Sequence, residues 1–426
     1  MTTINTVLSL ANGYLLQSGN HGAVIVGNNQ LSALGITSLY GVCADPIGNL
    51  YATAPDQHVI VKIVPNVGVS IVAGTLNTSG NDGNTPLPAD EAKFNTPLGL
   101  ASDKNGVIYI ADSGNNQIRM LSRAGWVNFV AGALNGSTGF SNVYPGAFSK
   151  PSDVTVDNAN RLFVADTNNH AIRMIQVGTE SMVTVAGNGA SGDVHGYTPN
   201  SRLNKPNAVS ADLAGNIYIA DSGNYKVKKL NRDFYLYTFS GNGSRGAGGG
   251  LPADAEYLDL QFVKSDGCTN VYVVDYTEGS GSRVLTLDGN GYASVLRTFD
   301  TVYPEISGIV SDRSRKITMI GTGYIDEFYT SSSSSSLSSA SVSSLSSDSS
   351  STVWRSSSSS SSTEWLSSSS SSSKSESSSS SLSSASLSSS SSSSTEWLSS
   401  SSSSKSESSS SSSKSDSSLS SQTPPP

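Results

Sequence analysis

The sequence predicts an all-β fold: a six-bladed β-propeller of four-stranded antiparallel blades over residues 1–330, followed by a disordered Ser-rich tail over 331–426. Three observations carry this expectation. One unit recurs about every 55 residues through the first 330 positions, its clearest copies hold four short apolar runs bounded by Gly and Asn, and Ser takes over abruptly after Thr330. Repeats of that period mark solenoids and propellers, and four short strands per repeat make one propeller blade.

The unit is clearest in the three copies that align without gaps, Pro97 to Asp112, Pro151 to Asp166 and Pro206 to Asp221. Each reads as two strands around a tight turn, and each continues into a third and a fourth strand, as in Gln117 to Leu121 and Trp126 to Gly132. Degenerate copies around Asp45, Asp266 and Asp312 bring the count to six. Nine positions before the turn aspartates Asp45, Asp103, Asp157, Asp212, Asp266 and Asp312 stand Ile36, Phe94, Phe148, Leu203, Tyr257 and Tyr303. A bulky apolar residue at that place can plug the gap between neighbouring blades. The last unit ends near Phe328 without a fourth strand, whereas Thr6 to Leu10 resembles the fourth-strand segment Val69 to Ala73. The N-terminal strand is therefore expected to close the last blade and remove its free edges.

Composition accounts for the tail. Ser dominates from 331 onward, so too little apolar surface exists to offset the entropy of ordering the backbone. Within it Thr363 to Leu366 returns as Thr395 to Leu398, and Lys374 to Glu376 returns as Lys405 to Glu407, which reads as duplication in a flexible spacer. Trp354, Trp365 and Trp397 are weak docking points or drift in a low-complexity repeat.

The formal charge is −8, and the positive field that phosphate-backbone binding requires is lacking, so no nucleic-acid partner is expected. No run approaches a membrane span, so a soluble, monomeric chain without membrane insertion is expected. Cys43 and Cys268 fall in different blades and are read as free thiols. The compartment is not readable, although the Ser-rich tail is compatible with cell-surface, extracellular or virion display.

Val185 to Gly189, Leu203 to Pro206 and Gly215 to Asn224 resemble the NHL-repeat consensus in order and spacing. The resemblance covers roughly residues 5–328 and is strong in units two to four. Unit one has Ala54 where the motif ends in Asp, unit six has Gly321, and unit five stretches the turn after Asp275. Some propellers of related families are enzymes that hold a metal with several histidines or calcium with Glu, Asn and Asp. A metal-assisted lyase or lactonase acting in the central channel is therefore the alternative to a non-catalytic module without cofactor. Against it, His58 and His170 fall in different blades, and the Asn81 to Asn84 loop lacks a bidentate Glu at loop spacing.

Naming the four strands of a blade a to d from the axis outward, the b-to-c turns and d-to-a crossovers must share one face. That face is loaded with long Gly- and Asn-rich crossovers, such as Thr75 to Asn95 and Ala133 to Lys150, so recognition is placed there. The candidate binding turns are Asn115, Asn116, Asn169, His170, Asn224 and Tyr225, facing a protein, peptide or glycan. Asp112, Asp166, Asp221 and Asp275 end strand b beside them and are read as structural turn aspartates that accept backbone N–H bonds. Lys226, Lys228 and Lys229, with Arg119 and Arg173, are read as the one basic cluster.

Overall fold

A computed structural model describes residues 7–10, 14–17 and 30–329, apart from 66, 180, 278–280, 299–305, 312–315 and 322–323. The chain separates into a unit of residues 1–339 and one of 340–426, and every described residue belongs to the first. The expected disordered tail and the plug residue Tyr303 lie outside the described residues.

The chain starts with a hairpin of β1 (Val7–Leu10) and β2 (Tyr14–Gln17) and a single turn of helix, Gln30–Ala33. Blade one follows as β3 (Val42–Ala44), β4 (Leu50–Ala54), β5 (Val59–Val64) and β6 (Gly68–Ala73). In blade two, β7 (Leu87–Pro88) precedes β8 (Pro97–Ser102), β9 (Ile108–Asp112), β10 (Gln117–Leu121) and β11 (Trp126–Gly132). Blade three is β12 (Pro151–Val156), β13 (Arg161–Asp166), β14 (Ala171–Gln176) and β15 (Ser181–Ala186). Blade four is β16 (Pro206–Ala211), β17 (Ile217–Asp221), β18 (Lys226–Leu230) and β19 (Leu236–Ser240). Blade five is β20 (Leu260–Ser265), β21 (Val271–Thr277), β22 (Gly281–Leu287) and β23 (Ala293–Thr298), and the last sheet has only β24 (Ile306–Ser311), β25 (Lys316–Gly321) and β26 (Tyr324–Tyr329).

Among the described residues, five complete blades, four of them four-stranded and blade two five-stranded through β7, and one three-stranded sheet therefore replace the expected six four-stranded blades. The sixth repeat carries no fourth apolar run after β26, because the sequence turns to serine, which brings no apolar surface to bury against a neighbour. The segment expected to complete it, Val7–Leu10, is hydrogen-bonded to Tyr14–Gln17 and also approaches β26 of that sheet.

The core is a series of layers between adjacent blades, and strand composition explains it: both faces of a radial sheet are covered, so strands such as Ile-Tyr-Ile-Ala-Asp at 108–112 and 217–221 are buried at every position. The described plugs Ile36, Phe94, Phe148, Leu203 and Tyr257 are all buried. Cys43 is a buried and Cys268 an exposed free thiol.

The crossovers do not stand up as free loops. The first runs back along the outer edge of blade two, where β7 pairs with β11, and Gly196 and Gly250 bridge to Leu236 and Ala293 on the outer strands of blades four and five. At these points the crossovers cover outer sheet edges.

Candidate binding face

In blades two, three and four the b-to-c turn is built on one plan. Strand b ends on Asp, a single 3-10 turn follows, and a residue in the left-handed region stands just before strand c: Asn116 (φ 50), His170 (φ 49) and Tyr225 (φ 52). One carboxylate oxygen accepts the N–H of the residue that ends the incoming crossover, with Asn95 donating to Asp112 at 2.7 Å, Ser149 to Asp166 at 2.8 Å and Asn204 to Asp221 at 2.7 Å. The other oxygen accepts the turn amide three residues on, from Asn115 (2.8 Å), Asn169 (2.8 Å) and Asn224 (2.7 Å). Those same amides donate to the crossover carbonyls of Gly80, Gly139 and Gly192. The turn is thereby fastened to the loop that delivers its blade.

The left-handed residue reaches the other way, to the next blade. Asn116 Oδ1 accepts the Lys150 N–H at 2.7 Å, and His170 Nδ1 accepts that of Lys205 at 3.0 Å. In blade one His58 Nδ1 accepts the Thr96 N–H at 3.1 Å in the same way. Each donor stands just before the Pro that opens the following strand a. Of the candidate binding residues, Asn115, Asn116, Asn169, His170 and Asn224 therefore direct their polar groups inward, and Tyr225 packs half-buried against the core layer between blades four and five.

Buried cations complete the turns. Arg119, Arg173 and Lys228 are fully buried rather than forming a basic surface cluster. Arg173 donates to Asp166 at 2.8 Å and to the carbonyls of Ala147 and Ser141, and Arg283 donates to Asp275 at 2.8 Å and to three crossover carbonyls. Asp275 also accepts the N–H groups of Leu258 and Asp259. Arg119 lies 3.8 Å from Asp112 and 3.9 Å from Asp82, over the ring of Phe94. Lys228 instead pairs with Asp193 of the crossover. Burial pushes the Asp112 and Asp221 carboxyls up to about 7, against the N–H donors that lower them. Burial also raises Asp166 and Asp275.

The pairing was available in the sequence. A cation follows the strand-b aspartate by seven residues at 112/119, 166/173 and 221/228, and by eight at 275/283, where the turn is stretched, although in blade four its ion-pair partner is Asp193. Where the aspartate is lost the cation is lost too, at Ala54/Val61 and Gly321/Phe328. A buried charge is tolerated only with its partner, so the two change together.

On the opposite face the channel opens into a cavity of about 700 Å³. The aspartates at its rim are saturated by their own turns: Asp45 takes the N–H groups of Ile47 and Asn49, and Asp157 those of Ala159 and Arg161. Deeper in, Asp153 accepts the Val209 N–H and stands 3.5 Å from Lys264. Among the described residues no group of three or more His, Cys, Asp or Glu side chains is placed to hold a metal. Asp82 of the Asn81 to Asn84 loop accepts the Lys93 N–H and faces Arg119, and His195 is bonded to Thr238.

Residues 94–120 and 148–173, the strand a to strand c portions of blades two and three, match the NHL repeat. The chain carries NHL repeats. Among curated proteins this NHL propeller is similar to Protein SUPPRESSOR OF QUENCHING 1, chloroplastic, from Arabidopsis thaliana, at 30% identity over 245 residues, covering 52% of this chain and 23% of that protein. It is also similar to NHL repeat-containing protein 2 from Bos taurus, at 27% identity over 215 residues, covering 43% and 29%. The match thus spans about a quarter of the length of these relatives. A solved structure of a Bacteroides thetaiotaomicron protein of unknown function shares the fold, with a TM-score of 0.50, 18% identity, and coverage of 76% of this chain and 74% of that one.

Proposed function

We propose that this NHL propeller is a non-catalytic binding module that holds a protein, peptide or glycan on the face of the b-to-c turns and crossovers, with the Ser-rich segment as its spacer. One observation supports the reading above others. The internal latches fix the crossovers, and on them Leu76, Leu134 and Phe140 remain exposed, at 37%, 42% and 46%. Rigid apolar groups outside a polar frame are what a binding surface needs, since little side-chain freedom is lost on contact. The polar groups of the turns act on this surface indirectly, by holding it still.

The test is a glycan array and a displayed peptide library probed with the full chain and with Leu134→Asp/Phe140→Asp. Ligands that bind the parent and lose about tenfold or more in affinity with the variant, at unchanged melting temperature, support the reading. Ligands that bind both equally place recognition elsewhere.

A further inference from the structure

A second surface lies on the opposite face, in the groove between blades one and two, and it goes beyond the loop-face reading. The groove has a volume of about 440 Å³, within the ~300–1,000 Å³ of ligand pockets. Blade one contributes Tyr51, Lys62 and Val72, and blade two contributes Ile108, Leu121 and the turn Ser122 to Gly125.

The repeat shows why this groove is open. In blade four the turn between strands c and d closes with Phe234 N–H donating to Asn231 O and Asn231 N–H to Tyr235 O; in blade two Gly125 and Ser122 make the same two bonds, with Trp126 in the place of Tyr235. Gly125 is thus the counterpart of Phe234, and both are in the left-handed region, at φ 78 and φ 60. Phe234 fills the groove between blades three and four, its ring 6.5 Å from that of Phe163 with the Arg161 guanidinium over both. A Cβ added at Gly125 meets nothing within 4 Å.

The second filler is missing as well. Phe239 is the bulged residue of strand d in blade four, edge-to-face with Tyr218 at 5.1 Å between ring centroids, with Lys229 over both rings. The equivalent bulge in blade one holds Val72, beside Tyr51 with Lys62 over its ring at 5.4 Å. An aromatic seat with its cation is kept, and the aromatic side chain that blade four sets beside that seat is absent here. Lys104 and Arg123 line the same groove, both exposed, and none of the three cations forms a salt bridge among the described residues. One carboxylate, Asp45, also lines the groove and is taken up by the Ile47 and Asn49 N–H groups, so on a chain of net charge −8 three cations against one acid make this a local positive site.

We propose that the groove between blades one and two docks an acidic peptide segment that inserts one aromatic side chain into the kind of space that Phe234 and Phe239 fill in the grooves on either side of blade four. The ring stacks near Tyr51 over Ile108 and Leu121, and flanking carboxylates pair with Lys62, Lys104 and Arg123.

The test titrates the full chain with a capped, fluorescein-labelled peptide in which one Phe stands between two pairs of Glu. Saturable binding is expected, about tenfold or more weaker when Ala replaces the peptide Phe, and weaker again as salt rises. Gly125→Phe, which fills the slot from within, and Lys104→Glu/Arg123→Glu each lower affinity by about tenfold or more, whereas Leu134→Asp/Phe140→Asp leaves it unchanged. Should Gly125→Phe unfold, the exposed double variant decides. No saturation up to about 1 mM peptide, equal affinity in the groove variants, or loss in the loop-face variant overturns the proposal.

Discussion

Blades one and three do the same job with opposite chemistry at the end of strand b. Blade three ends on Asp166, buried, accepting Ser149 N–H, Asn169 and Arg173 at once. Blade one ends on Ala54, with Val61 at the place of Arg173 and Gln57 at the place of Asn169, and Gln57 bonds Thr37 in the strand a approach. The charged pair is thus dispensable to a blade as a pair. It is not dispensable one member at a time, because a lone buried charge has no solvent to fall back on.

The largest effect expected from breaking this comparison is for Asp166→Ala. It strands Arg173 and removes the acceptor for Ser149 N–H, so a loss of about 3–5 kcal/mol is expected in denaturant unfolding. A loss under about 1 kcal/mol shows that the remaining carbonyl partners of Arg173 suffice.

Asp166→Ala/Arg173→Val rebuilds the blade-one solution in blade three. The double variant should be more stable than Asp166→Ala by about 1–3 kcal/mol, a coupling that a double-mutant cycle measures directly. Strict additivity removes the pairing argument.

A pH series sharpens the contrast. The Asp112 carboxyl, held at about 7 by burial, keeps in the folded state a proton that the unfolded chain, with an Asp value near ~3.9, releases. A folded value above the unfolded one contributes stability that is full below about 3.9 and lost as pH rises through about 7. Unfolding free energy measured at pH 5 and pH 8 should therefore differ less in Asp112→Asn than in the parent, and equal differences sink the assignment.

The smallest expected effect concerns what the two blades share. His58 and His170 make the same inter-blade bond, so His58→Ala and His170→Ala should each cost about 1 kcal/mol, and by similar amounts. Burial and then the Lys205 ammonium hold His170 below its ordinary value. Its contribution is therefore present above the ordinary histidine range and fades as pH falls through the lower folded value, which melting temperatures on an acid series would follow.

Local chemistry determined much of this protein from the sequence alone. Strand composition, the plug residues and the turn aspartates recur at fixed spacing, because each blade solves the same packing problem with the same side chains. The cation seven or eight residues after each strand-b aspartate was equally present in the sequence, but read within one blade it passes for a surface lysine or arginine, and only the paired losses at Ala54/Val61 and Gly321/Phe328 reveal it. The tertiary structure alone decided three things. It turned the candidate binding asparagines and His170 inward, because their amides and ring nitrogen meet crossover backbone that is distant in sequence. It laid the long crossovers along the outer edges of the next blades, because unpaired edge strands there need a partner. It left the groove between blades one and two open, because whether Gly125 and Val72 leave a void depends on which neighbouring blade they face, and a repeat read one copy at a time contains no neighbour.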